Sequence, residues 1–198
     1  MRSLAVLDAI LSPDWEFRYW SFNKHWDDEM SMGSMRDGSG DEMFAVFSTS
    51  GALLKGFSHE SPMSPYRINP PSIWPGVVED VPPVFADVLS EPALSPVDLT
   101  FCIWRLYGDA AWQHGDIAYP EGTDPDGSAN LLSYLDDSPQ TYHAWAEYYW
   151  EQSVSLAAVE HIYSQLPITT EVISSLNQSI DLKALDRELA EIGYPRAG

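Results

Sequence analysis

The chain of 198 residues contains one cysteine, Cys102, so no intrachain disulfide can staple it. Cys102 stands in an apolar run, and the reading is a buried, inert thiol. Positive charge is also scarce, with ten Lys and Arg against thirty Asp and Glu and a formal net charge of −20. Between Leu106 and Leu182 there is no Lys or Arg at all, while twelve carboxylates fall in that span. Counterion release from nucleic acid needs clustered cations, so nucleic-acid binding is disfavoured, as is adhesion to anionic lipid. No apolar stretch reaches 18 residues, which argues against a membrane span, and Asp8 interrupts the short apolar N-terminus, which fails as a signal peptide. A cytosolic protein is the expectation. Phosphate-cradling glycine loops, HExxH and EF-hand spacings are missing too.

What the chain does contain is a core. Its apolar fraction of 44% and aromatic fraction of 13% are too high for disorder, whatever the charge. Its length suits one sizeable core, and it is read as a single α+β domain: a sheet-rich part over 1–127 and a helical part over 128–198.

Residues 3–11 carry apolar side chains at helical spacing, closed by Ser12-Pro13. Glu16 to Phe22 alternates like a strand, and the polar, Gly-punctuated stretch 23–42 reads as a long loop. Met43–Phe47 and Leu53–Phe57 flank Ser48-Thr49-Ser50-Gly51 as a hairpin. Five prolines make 58–75 a surface loop, and Pro83–Leu89 a short helix. Val97–Tyr107 is expected to be a central strand, with Phe101 and Ile103 on one face, Cys102 and Trp104 on the other, and 112–119 as its antiparallel partner. Beyond 127 the helix starts are marked by Ser128, Ser138-Pro139, Ser155, Thr169-Thr170 and Asp181, and the last helix stops at Gly193.

Two groups of residues are candidates for binding. On the helix that begins at Pro139, Tyr142, Trp145, Ala146 and Tyr149 share one stripe, with Glu147 and Glu151 facing away. Tyr148 and Trp150 flank that stripe, and one of them should be exposed, where an aromatic side chain can anchor a partner. With Asp136, Asp137 and Glu147 they make an acidic, aromatic surface suited to a basic protein partner. The second group comprises His25, Arg36, Asp41, His59 and Glu60, from polar segments that a sheet can bring together. Arg36 is expected to pair with Asp37, Asp41 or Glu60, or to clamp a carboxylate. Asp37 to Glu42 (DGSGDE) looks like a calcium loop but lacks its alternating ligands, so no metal is assigned, and no cofactor. Nor is any residue assigned a catalytic role, since Ser39, between Gly38 and Gly40, lacks the glycines two residues away on each side and the strand-to-helix setting of a nucleophile elbow.

The segments SMRDGSGDE (34–42), KGFSHESPMSPY (55–66) and TFCIWR (100–105), with IGYP (192–195) near the end of the acidic helical part, resemble a bacterial family of uncharacterised function. In type the chain is also similar to the immunity proteins of bacterial toxin systems. That likeness implies an acidic cytosolic protein masking a basic toxin. The alternative is a small-ligand-binding protein or enzyme with its site in the 23–60 loops.

Overall fold

The computed structural model describes residues 1–197 and is α+β. Five strands form one antiparallel sheet in chain order: β1 (Trp20–Asp27), β2 (Met30–Arg36), β3 (Glu42–Ser48), β4 (Gly51–Phe57) and β5 (Phe101–Leu106). The helices are α1 (Arg2–Leu11), α2 (Ala86–Ser90), α3 (Ser128–Leu132), α4 (Pro139–Tyr149), α5 (Leu156–Tyr163), α6 (Thr170–Leu176) and α7 (Leu182–Ile192). The chain divides into two compact units, one of residues 1–25 with 134–198 and one of residues 26–133.

In the unit of residues 26–133, the β3–β4 hairpin turns through Thr49-Ser50, with Ser48 opposite Gly51. Glycine is required at 51 because a Cβ there would lie 2.3 Å from the Arg105 carbonyl oxygen of the neighbouring strand. Phe44, Val46, Leu53, Cys102 and Trp104 share one core with Met63, Val77, Phe85, Val88, Leu94 and Leu99, contributed by the long segment between β4 and β5. Met43, Ala45, Leu54 and Phe101, at the alternate positions, are buried as well.

Two sequence expectations are corrected here. The stretch 23–42 is not a loop, because β1 runs on to Asp27 and Met30–Arg36 forms β2. Met, Ser and Gly give that strand no β-branched or aromatic signature, and the ladder to β3 supplies what local propensity does not. Second, the Val97–Tyr107 segment is not central. Only Phe101–Leu106 is strand, and it stands last in the sheet order. Its outer edge receives one bridge from 112–119, with Trp104 and Gln113 exchanging N–H···O bonds at 2.9 and 2.7 Å. Apolar faces reveal burial but not strand order.

In the other unit, α1 packs on α5, α6 and α7, and residues 4–10 are all buried, Asp8 among them. A helix apolar all round is a core helix. The helix starts are capped where the sequence places them. Side-chain oxygens of Ser138, Ser155, Thr169 and Asp181 accept backbone N–H bonds from Thr141, Ala158, Val172 and Lys183 respectively. Gly193 ends α7 in the left-handed region at φ 72°.

Candidate functional site

The second candidate group is partly assembled, at the end of the sheet where β2 turns into β3. Asp37 Oδ1 accepts the backbone N–H groups of Ser39, Gly40 and Asp41 at 2.7, 3.0 and 3.0 Å. That oxygen is taken up by its own turn, a side-chain-to-backbone role that accounts for the Asp-Gly-Ser-Gly pattern. The turn presents Asp41 to the residues after β4. Asp41 Oδ1 accepts from the His59 backbone N–H at 2.8 Å and lies 2.7 Å from His59 Nδ1, and Ser58 Oγ donates to Oδ2 at 3.4 Å. The hydrogen bond to Asp41 raises the His59 pKa above its ordinary value, and Glu60 adds to the effect with a carboxylate 4.0 Å from Nε2.

Arg36 does not pair as expected. It faces Glu42, its cross-strand partner in the β2–β3 register, with Nε 3.7 Å from Oε2, and its guanidinium lies 5.4 Å from the Phe44 ring centroid. Register brought Glu42 opposite, and local sequence spacing could not show that. His25 lies on β1, exposed, its N–H donating to Asn23 Oδ1 at 2.8 Å.

The Asp41–His59 pair, with a Glu60 carboxylate oxygen 4.0 Å from its outer nitrogen, has the form of a general base held in one tautomer. Among the described residues, no Ser, Thr or Cys hydrogen-bonds to His59 Nε2. None of their groups of three His, Cys, Asp or Glu is arranged to hold a metal. The buried Cys102 thiol is pushed up to about 12 by desolvation, which leaves it protonated and unreactive.

The opposite end of the sheet holds a recess absent from the sequence reading. The β1–β2 turn (Asp28, Glu29, Met30), the β3–β4 turn (Ser48, Thr49, Ser50), Val46 of β3, and Val84, Phe85 and Val88 enclose a cavity of about 90 Å³. Asp28 and Glu29 carry the charge there, and neither is paired with Lys or Arg among the described residues.

The acidic aromatic surface belongs to the unit that contains α4. Tyr148 is the exposed flanking aromatic, at 85%, in line with exposed Gln140 and Ala144 at helical spacing. Gln140 Nε2 donates to Glu160 Oε1 at 3.1 Å. Trp150 is half-buried and packs edge-on against Tyr149 at 4.7 Å, while Trp145 stacks on Tyr149 at 4.9 Å and 17°. Glu147 does not simply face away, since Oε1 accepts the Val154 N–H at 3.1 Å and lies 3.6 Å from His143 Nε2. Asp136 is committed to the start of α4: it accepts the Ser138 N–H at 2.9 Å and the Thr141 hydroxyl at 2.5 Å, bonds that hold its pKa below the usual value. Asp137 is exposed at φ 60°.

Of the twelve carboxylates between Leu106 and Leu182, eight are exposed, three are half-buried, and Asp126 is buried. The three arginine–carboxylate pairs of the described residues use Glu188, Glu42 and Asp186, all outside that span. No helix among the described residues is long and apolar enough to cross a membrane.

The chain thus belongs to the α+β class. No family model, curated protein or solved structure matches it.

Proposed function

We propose that this is an interaction protein whose acidic surface binds and masks a basic protein partner, in the manner of a bacterial immunity protein that blocks a toxin. The carrying observation is the span from Leu106 to Leu182, with eight carboxylates in solvent, no Lys or Arg within it, and none of the arginine–carboxylate pairs among the described residues drawn from it. Such a field accelerates encounter with a cationic surface and fixes its orientation. Tyr148 offers an aromatic anchor in the same setting.

The test is affinity capture from the native host, followed by association and dissociation rates of the captured partner at low and high salt. Attraction between exposed charges fades beyond roughly 8–10 Å at physiological ionic strength, so the association rate should fall steeply with added salt. Reversing Glu121, Glu151 and Glu160 to Lys, none of which caps a helix, should slow association more than it speeds release. An acidic partner, or an association rate indifferent to salt, overturns the reading.

A second reading, a small-ligand site at the β2–β3 turn and the segment that follows β4, draws on the Asp41–His59 pair, whose His59 side chain is exposed. Ligand-dependent perturbation of the His59 ring signals, with no basic partner recovered, would shift weight to it.

A further inference from the structure

The recess between the β1–β2 and β3–β4 turns combines three properties. Its wall is mainly apolar, with Met30, Val46, Val84, Phe85 and Val88 beside Ser48, Thr49 and Ser50; its rim carries Asp28 and Glu29; its volume is about 90 Å³. Drug-sized ligands and cofactors occupy roughly 300–1,000 Å³, so this space admits a side chain rather than a small-molecule substrate. An apolar wall beneath an anionic rim is complementary to one kind of side chain, a methylene stem ending in a cation.

The rim charge is available. Asp28 and Glu29 are both exposed, and the cations of this unit are committed elsewhere. Arg36 faces Glu42, the Lys55 ammonium is bonded to the Leu94 and Ser95 carbonyls, and Arg67 and Arg105 donate to the backbone carbonyls of Ser61 and Asp109. Residues 26–133 hold four basic side chains against seventeen acidic ones, so the surroundings of the recess favour an incoming cation as well. Val84 at its edge is 48% exposed, an apolar side chain left in water at the mouth of the recess.

We infer that this recess is a socket for a lysine or arginine side chain of a basic protein partner. The stem lies along Val84, Phe85 and Val88 and the cationic head meets Asp28 and Glu29. The inference rests on the acidic-binder reading and adds to it a point of attachment. Long-range attraction brings the partner in, and the socket fixes one basic side chain in place.

The test uses the full chain and a short fluorescent peptide of alternating lysine and serine, with a norleucine counterpart that keeps the stem and removes the charge. Anisotropy titrations compare the wild type with Asp28→Asn/Glu29→Gln at the rim, Val84→Trp at the wall, and Glu16→Gln/Glu191→Gln, exposed and outside both the recess and the Leu106–Leu182 span, as a control of equal charge change. All positions are exposed or half-exposed, and circular dichroism checks that each variant is folded. Rim and wall variants should weaken lysine-peptide binding by roughly tenfold and the control by no more than about twofold, with the norleucine peptide not bound. In the wild type, peptide-induced amide shifts should centre on residues 28–30, 48–50 and 84–88. Equal losses at rim and control, an indifferent Val84→Trp, or shifts elsewhere overturn the socket while leaving the acidic-binder reading intact. Absence of salt-sensitive binding to the lysine peptide overturns both.

Discussion

The Tyr142 hydroxyl donates to Asp8 Oδ1 at 2.7 Å, joining α4 to α1 through a hydrogen bond inside the core. Asp8 Oδ2 accepts the backbone N–H groups of Tyr19 and Trp20 at 2.9 and 2.8 Å, so both carboxyl oxygens are engaged and the residue has no solvent exposure. Desolvation outweighs these bonds and pushes the Asp8 pKa up to about 7, and it raises the Tyr142 phenol as well. Trp20 Nε1 and the Tyr163 hydroxyl are buried without a hydrogen-bond partner among the described residues. The Tyr163 phenol is itself raised by burial and by the charges of Asp136, Asp137 and Asp8.

The raised pKa makes Asp8 a pH-dependent element of stability. A carboxyl whose folded pKa lies above its unfolded one contributes its full stability below about pH 4 and loses it as pH rises through about 7. The swing is on the order of 4 kcal/mol at about 1.4 kcal/mol per unit. Asp8→Asn reproduces the protonated form, since its carbonyl accepts the two backbone bonds and its amide donates to Tyr142. The variant should be the more stable protein at pH 8 and show no advantage at pH 4. Denaturant melts at both pH values decide; parallel curves for the two proteins contradict the assignment.

Lys55 is buried in β4 and donates from Nζ to the Leu94 and Ser95 carbonyls at 2.6 and 2.8 Å. Burial lowers its pKa to about 8, against weaker upward pulls from Cys102, Glu42 and Asp98. Its folded pKa is depressed, so its contribution is fully present above about pH 10.5 and lost as pH falls through about 8. Lys55→Met leaves the Leu94 carbonyl without a donor, while the Ser95 carbonyl keeps the Asp98 N–H at 3.1 Å, and should destabilise the fold by about 1–3 kcal/mol at pH 7. Amide exchange should quicken around residues 92–95, and the alkaline rise in stability should flatten. Unchanged exchange there would show that the ammonium does not hold the segment.

The His59 ring should titrate above the ordinary histidine value, and Asp41→Asn should bring it back toward 6.5, because the hydrogen bond to Asp41 is the leading cause of the shift. Carbon-detected titration of the His59 ring reads this directly. An ordinary value in the wild type would mean that the pair is not held together in solution.

The helical unit was the most legible from sequence because its signals are local. Ser138, Ser155, Thr169, Asp181 and Gly193 mark helix ends through bonds reaching only a few residues along the chain. Strand β2 was hidden because Met30–Arg36 is extended only by virtue of its partner, and the terminal place of β5 follows from non-local pairing. Asp41 and His59 were visible as residue types, and their meeting needed the turn that Asp37 builds. The recess was invisible because Asp28, Ser50 and Val88 come from three distant stretches that mean nothing separately.

One compact unit is assembled from residues 1–25 and 134–198. During synthesis α1 therefore leaves the ribosome long before α5, α6 and α7, the helices it packs against, have been made. Residues 26–133 are continuous and, with the rest of β1 ahead of them, have all been made once Ser133 has emerged, so they can fold while α1 waits. Through that interval Leu4, Val6, Leu7 and Ile10 are without the helices that bury them in the finished protein. A nascent chain stalled at about this length should therefore present α1 to chaperones, and the completed chain should not.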